Sequence, residues 1–385
     1  MRVISKFFDT DVGIDLGSSR TRVCCKGLGR VLDEPSIVTV DPRLWSCSSL
    51  VAGWDATHGF FDPRRARYFM RPMQGGEIAD MELVIFMIGY FIDKACSCSP
   101  LGKFVTCGTF LRLLSPAAFL EKLLKKRRHV LITVPSCVTD EEKKALGKAV
   151  RLATWIDRET VRESEESFAK HAGHIKVSVI EKSLAAAIGA GLPVSESKAC
   201  MVVDVGAGSC EVAIIYRAGI VHGYSARGVG GDDMDNAIMA YIRDRYNLRL
   251  SDTREAERIK IEIGGTYPTG RKREIYGLDA LTWKGRSMTV TSKEISEVLQ
   301  EPMNKIIEAV RVTLDRCEPE LAADIGDNGI VMTGGGALLP GLDRRLADAT
   351  GLPVRVADDP GNATIRGVSI ALNDPGILEK NTIKR

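Results

Sequence analysis

Two acidic, glycine-rich turns, far apart in the chain, constrain its fold more than any other feature. Asp15-Leu16-Gly17-Ser18-Ser19-Arg20-Thr21 follows the apolar run Val12-Gly13-Ile14. Asp204-Val205-Gly206-Ala207-Gly208-Ser209 follows Cys200-Met201-Val202-Val203. Each is a strand, an aspartate, a tight turn of small residues and then a second strand-like run, Arg22 to Cys25 or Glu211 to Ile215. Glycine lets the backbone approach a ligand closely, and successive N–H groups in such turns form concave anion sites. An aspartate beside a phosphate makes sense if it holds Mg²⁺ through water, because Mg²⁺ takes few carboxylates and keeps its hydration shell. Two such hairpins predict a polyphosphate clamped between two similar half-molecules. Asp-x-Gly-Ser alone also describes an ordinary hairpin turn.

A third turn, Gly334-Gly335-Gly336-Ala337, follows the strand-like Ile330-Val331-Met332 with Thr333 and precedes a helical pattern from about Leu342. Glycines between a strand and a helix start suit phosphate or nucleotide contact. No Gly-Lys-Ser/Thr follows, so this is not a Walker loop, and the first two loops open hairpins rather than helices, which excludes a dinucleotide fingerprint.

The chain has 385 residues, enough for two domains with their own cores. A net charge of +3 gives no reason to expect nucleic acid as a partner. No apolar run is long enough to span a bilayer, and no segment reads as a signal peptide. The ten cysteines are scattered without CxxC pairs, so reduced thiols are expected rather than zinc.

Strand-like and helix-like stretches alternate throughout, predicting an α/β fold. Residues 81–95 are apolar nearly all round and read as a buried helix. Val130 to Val134 is a buried strand, after which Thr139 and Glu142 form a capping-box pattern. A Gly/Asp turn from Arg227 to Asp235 leads into a helix from Ala237, and 254–263 is a charged helix. Residues 283–291 alternate like a hairpin, 292–317 read as one long helix broken near Pro302, and 354–357 as a last strand.

The three turns together resemble the actin/DnaK-type chaperone/sugar-kinase superfamily. Longer stretches resemble the MreB family of bacterial actins: residues 27–36, 134–139, 185–194, 230–238, 257–264, 333–341 and 351–354. The resemblance implies an actin-like ATPase fold, two similar lobes of two subdomains each around a nucleotide cleft. It implies a first large subdomain from 10–42 and 79–186, its small partner in 43–78, a second large one from 187–229 and 299–365 with its small partner in 230–298, and a return in 366–385. ATP and Mg²⁺ are the implied ligands. Carried over by position, Gly17, Ser18, Ser19 and Arg20 form the first phosphate loop, and Gly206, Ala207, Gly208 and Ser209 the second, with Gly231 and Asp232 beside it. Glu257, Arg258, Ile259 and Lys260 flank the adenosine. Gly334, Gly335, Gly336 and Ala337 close over the nucleotide. Asp15 and Asp204 face the Mg²⁺ through water, and Glu142 positions the attacking water. Glu142 also has a plain reading, the capping-box acid.

The chain departs from the family in several places. Ser18-Ser19-Arg20 stands where Thr-Ala-Asn is usual, Ala207 replaces a glycine, and Cys210 replaces a threonine. Slow hydrolysis is the expectation. The largest departure is an insertion at 97–129, where the family has a short loop. It carries seven cations against one acid, a net of +6, and the apolar residues Phe110, Phe119, Leu120, Leu123 and Leu124. A short amphipathic helix with a basic flank suits an interfacial membrane anchor, or equally a surface helix packed on its own domain.

The resemblance implies a membrane-associated, ATP-dependent filament organising cell shape and wall elongation. Its partners would be further copies in paired protofilaments, the inner face of the cytoplasmic membrane, and membrane-embedded shape or wall-synthesis proteins. An actin-like paralogue that positions an organelle or plasmid is the alternative. A chaperone ATPase would need a peptide-binding domain, and a small-molecule kinase a free aspartate base beyond the phosphate loops.

Overall fold

The structure, a computed structural model, describes residues 11–40, 50–58, 68–97, 129–136, 138–155 and 176–380. The chain divides into two units, one of Met1–Val134, Val138–Ala185 and Ile365–Arg385, the other of Pro135–Cys137 and Ala186–Thr364.

In the first unit the main sheet runs Lys176–Glu181, His129–Val134, Val12–Leu16, Arg20–Cys25, Gly29–Pro35. The first three strands are parallel, and Val12–Leu16 starts an antiparallel meander through the last two. In the second unit the order is Val354–Val356, Ile330–Thr333, Cys200–Val205, Ser209–Tyr216, Gly219–Arg227, with the same directions. The register slips once in each meander, between Val23 and Cys24 and between Ile214 and Ile215. The duplication read from two short loops thus extends to whole five-stranded sheets.

The strands that carry the aspartates are buried at every position, because they lie in the middle of each sheet. On the first sheet the helix Met81–Ser97 buries Leu83, Val84, Met87, Ile88, Phe91, Ile92 and Ala95, at the 3–4 spacing of one helical face. The expected all-round burial is therefore one-sided, with Phe86 and Tyr90 only partly covered. It packs along Asp140–Trp155. In the second unit the helix Gln300–Leu314 covers the two antiparallel strands of the meander.

Three local expectations shift. The helix after the Gly/Asp turn starts at Gly231, so the turn is its first turn rather than a lead. The break expected near Pro302 falls at Leu299, between helices Ser292–Val298 and Gln300–Leu314. Pro302 then sits in a first turn, where a missing N–H has no intrahelical partner to lose. The hairpin pairs Lys272–Asp279 with Gly285–Thr291, and Trp283 lies in its turn with φ +56°.

Candidate functional site

Each sheet ends in the same small construction. Asp15 is the penultimate residue of its strand and 2% exposed. Thr133, on the neighbouring parallel strand, accepts from the Leu16 N–H at 3.1 Å and donates to Asp15 Oδ1 at 3.4 Å. Asp204 holds the corresponding place, is 1% exposed, and accepts from Thr333 Oγ1 at 2.9 Å. A buried carboxylate needs hydrogen bonds or a cation, and here a threonine from the adjacent parallel strand supplies one in both units. Neither threonine was singled out by the sequence reading. The signal was present: Thr333 ends, and Thr133 stands one residue before the end of, an apolar run that the topology places beside an aspartate strand.

The two copies differ in charge at one register position. Arg22 is directly across the strand pair from Asp15, and its guanidinium is 3.5 Å from the Asp15 carboxylate. Glu211 is directly across from Asp204. Its buried carboxylate accepts from Ser136 N–H at 2.9 Å and Ser225 Oγ at 2.8 Å.

The first turn is braced by Ser36, a third residue that the sequence alone does not single out. Its hydroxyl donates to Gly17 O at 2.6 Å and shares a hydrogen bond with Thr21 at 2.8 Å, and its N–H donates to Ser19 O at 2.9 Å. Ser18 Oγ accepts from Gly76 N–H at 3.0 Å. Arg20 corrects an expectation. Its guanidinium pairs with Asp33 at 2.6 Å and lies 5.5 Å from the centre of the Trp54 ring. The side chain is held along the neighbouring strand, not over the phosphate turn.

The second turn is braced from the helix Gly231–Tyr246. Gly231 N–H donates to Gly206 O at 3.0 Å, Asp232 N–H to Ala207 O at 2.9 Å, and Gly228 N–H to Gly208 O at 2.8 Å. A Cβ on Gly230 would lie 2.6 Å from Gly206 O, so only glycine permits this approach. The carried-over Gly231 and Asp232 thus direct their N–H groups at the loop itself. Their place is in shaping the turn.

Gly334 has φ +80° and donates its N–H to Pro360 O at 2.8 Å. Gly335 opens the 3₁₀ turn Gly335–Leu338 with nothing within 4 Å of where a Cβ would lie, and Gly336 lies against Val205. Ala337 is buried. On the helix Thr253–Ile263, Glu257 and Arg258 are exposed, and Arg258 pairs with Glu255 at 3.3 Å. Ile259 is a second correction: its side chain is fully buried in the core cluster, so it has no side-chain surface for a ligand. Lys260 Nζ donates to Gly231 O at 3.0 Å.

Glu142 is engaged at the start of its helix. Its Oε2 accepts from Thr139 N–H at 2.8 Å and from Thr139 Oγ1 at 2.9 Å, and its own N–H donates to Thr139 Oγ1 at 3.2 Å. That is a complete capping box. Phe110, Phe119, Leu120, Leu123 and Leu124 lie outside the described residues. Among the described residues no helix is long and apolar enough to cross a membrane, and no group of three or more His, Cys, Asp or Glu could cage a metal. Single buried carboxylates at strand ends still suit Mg²⁺, which binds through water with phosphate as the other ligand.

A family profile described as MreB/Mbl protein matches residues 9–107 and 150–380. The chain belongs to the MreB/Mbl family. The match leaves out residues 108–149, which hold Glu142 and most of the insertion. Among relatives, the cell shape-determining protein MreB of Escherichia coli K12 is 41% identical, over 95% of this chain and 94% of that protein. The cell shape-determining protein Mbl of Bacillus subtilis is 34% identical, over 98% and 99%. The crystal structure of MreB5 of Spiroplasma citri bound to AMPPNP superposes with a TM-score of 0.74 at 28% identity, covering 97% of this chain and 98% of that one. A MamK double helical filament superposes at 0.69 and 17% identity, covering 95% and 99%, a likeness of fold alone. The fold is actin-like.

Proposed function

We propose that this chain is an actin-like filament protein that binds and slowly hydrolyses ATP with Mg²⁺, and that its filaments determine cell shape from the inner membrane face. The observation that carries the reading is the repeated buried aspartate–threonine pair beside a glycine turn, once on each of two equivalent sheets. Relatives named cell shape-determining proteins, and a family structure bound to AMPPNP, support it. The same relatives favour shape determination over organelle or plasmid positioning. In this reading Gly17 to Ser19 and Gly206 to Ser209 take the phosphates by backbone N–H groups. Asp15 and Asp204 orient metal-bound waters. Lys260 and Glu257 face the nucleoside, and Gly334 to Gly336 let it approach the backbone. Bound Mg²⁺ would neutralise phosphate charge, the main requirement of phosphoryl transfer to water.

Sedimentation and electron microscopy with and without ATP test the core of the proposal: filaments are expected with Mg·ATP, and a monodisperse protein under both conditions would refute it. Adding anionic vesicles tests membrane attachment. Each lysine or arginine of residues 97–129 near such a surface contributes about 1 kcal/mol. Replacing Phe119, Leu120, Leu123 and Leu124 with serine should abolish co-sedimentation with vesicles, and high salt should weaken it, while ATP binding persists. Undiminished vesicle binding by the serine variant would rule out the insertion as the anchor.

Glu142 tests the hydrolytic step. Glutamine keeps an acceptor for the Thr139 N–H but removes the charge. Glu142→Gln should slow hydrolysis about tenfold with little change in nucleotide affinity, as loss of a group that orients or accepts from water predicts. Glu142→Ala should further cost about 1 kcal/mol of stability through the lost box. Hydrolysis at the wild-type rate in the glutamine variant would leave Glu142 a capping residue.

A further inference from the structure

One buried ion pair lies beside the second hairpin, and its acid, Asp235, is not among the residues that the family resemblance carries over. Asp235, in the second turn of the helix Gly231–Tyr246, is 6% exposed. Its Oδ1 lies 2.8 Å from Lys260 Nζ, on the neighbouring helix Thr253–Ile263. The same ammonium donates to Gly231 O at 3.0 Å. Gly231 in turn holds Gly206 through its N–H. An ammonium has three donor hydrogens and no acceptor. One goes to the Gly231 carbonyl, the Asp235 carboxylate holds the ammonium by its charge at 2.8 Å, and the remaining donor capacity is what Lys260 can offer a ligand.

We propose that Asp235 is a positioning residue, which aims Lys260 at the nucleoside and ties that contact to the second phosphate turn through a buried ion pair. The inference rests on the nucleotide reading above. Two features support it beyond the contact geometry. A buried ion pair rarely repays its desolvation, so its presence calls for a reason other than stability. Burial, with smaller contributions from the facing carboxylates of Glu257 and Asp232, raises the Asp235 carboxyl to about 6, although Lys260 opposes the shift. A carboxyl raised in the folded state contributes stability when protonated, and loses that contribution as pH rises through about 6. At neutral pH the charge therefore costs stability, and in acid Asp235 takes up a proton and releases Lys260 from one of its two anchors.

The test is binding of a fluorescent ATP analogue with Mg²⁺ to wild-type protein and to Asp235→Asn, from pH 7.5 to pH 5.5. Asparagine keeps shape and an acceptor but no charge. Taking the ratio of the two affinities at each pH cancels the nucleotide's own titration. At pH 7.5 the variant should bind about tenfold more weakly, the effect of losing one charge-assisted contact that orients a donor. The ratio should fall to about threefold at pH 5.5, where most of the Asp235 carboxyl is protonated, and the variant should melt no lower than wild type at pH 7.5. A ratio near one throughout, or a deficit independent of pH, overturns the proposal. Should the asparagine variant not fold, Lys260→Met is the second arm, and an affinity that follows pH as in wild type overturns it equally. Wild-type protein that does not bind the analogue at any pH overturns the nucleotide reading as well, whereas normal binding with a flat ratio overturns this inference alone.

Discussion

Gly334→Ala should lower the thermal unfolding midpoint by about 10 °C, whereas Gly335→Ala should leave it almost unchanged. Gly334 has φ 80° and ψ 165°, a region open essentially to glycine alone. An added Cβ would lie 2.3 Å from Val205 O, 2.6 Å from Val205 C and 2.9 Å from Asp204 Oδ1. Two of these are backbone atoms of a fully buried strand, and Gly334 is itself tied to Pro360 O. Neither side can yield cheaply. Backbone strain of about 1–3 kcal/mol plus the clash gives roughly 3–4 kcal/mol. At about 2–4 °C per kcal/mol for a unit of this size, the shift follows. Gly335 is adjacent, lacks a positive φ, and has open space where its Cβ would go. Its substitution should instead weaken nucleotide binding, since a methyl group would stand where the ligand is proposed to approach. Circular dichroism melts of both variants decide. Equal destabilisation would mean that the turn is not held by Val205 as described.

The local signals in the sequence were strong where one residue type answers to one backbone requirement. Glycine turns after β-branched strands and a threonine three residues before a glutamate each led to the right element. What stayed hidden depends on which strands become neighbours. Thr133 and Thr333 matter because parallel pairing brings them to Asp15 and Asp204, across 118 and 129 residues of chain. Ser36 looks like any serine after a proline until the meander folds it back over Gly17 and Ser19. Arg20 was read by its place in the turn, but strand pairing brings Arg20 opposite Pro35, close to Asp33, and the ion pair wins over the loop. Ile259 was read by its neighbours in a motif, although helical periodicity puts it on the face with Ala256 and Ile263, which is the buried one. Gly231 and Asp232 fall at a helix start, whose first N–H groups have no intrahelical partner and turn to the nearest loop carbonyls.

The charge difference between the two hairpins leads to the largest expected loss of activity. Asp204→Asn should reduce Mg²⁺-dependent ATP hydrolysis by about a thousandfold, and Asp15→Asn by considerably less. Metal-ion assistance in such reactions is worth several kcal/mol, and a carboxylate that orients the metal's waters carries part of it. Asparagine preserves the hydrogen bond to either threonine, so neither variant should lose much stability. The two sites differ in what surrounds the carboxylate. Beside Asp15 the Arg22 guanidinium, at 3.5 Å, already offsets part of its charge, and Arg22 also lies 3.5 Å from Asp33, so it keeps a partner when Asp15 is neutral. Across from Asp204 stands Glu211, an acid whose oxygens are occupied by Ser136 and Ser225. With an acid rather than a guanidinium at that register position, the charge of Asp204 is offset less than that of Asp15. Nucleotide affinity measured in Mg²⁺ and in EDTA separates the two roles. In Asp204→Asn the two affinities should converge. In Asp15→Asn a clear preference for Mg²⁺ should remain. Arg22→Leu should move Asp15 toward the behaviour of Asp204, strengthening the Mg²⁺ dependence. Equal losses in the two asparagine variants would show that the hairpins act as true equivalents and that Arg22 has no part in metal binding.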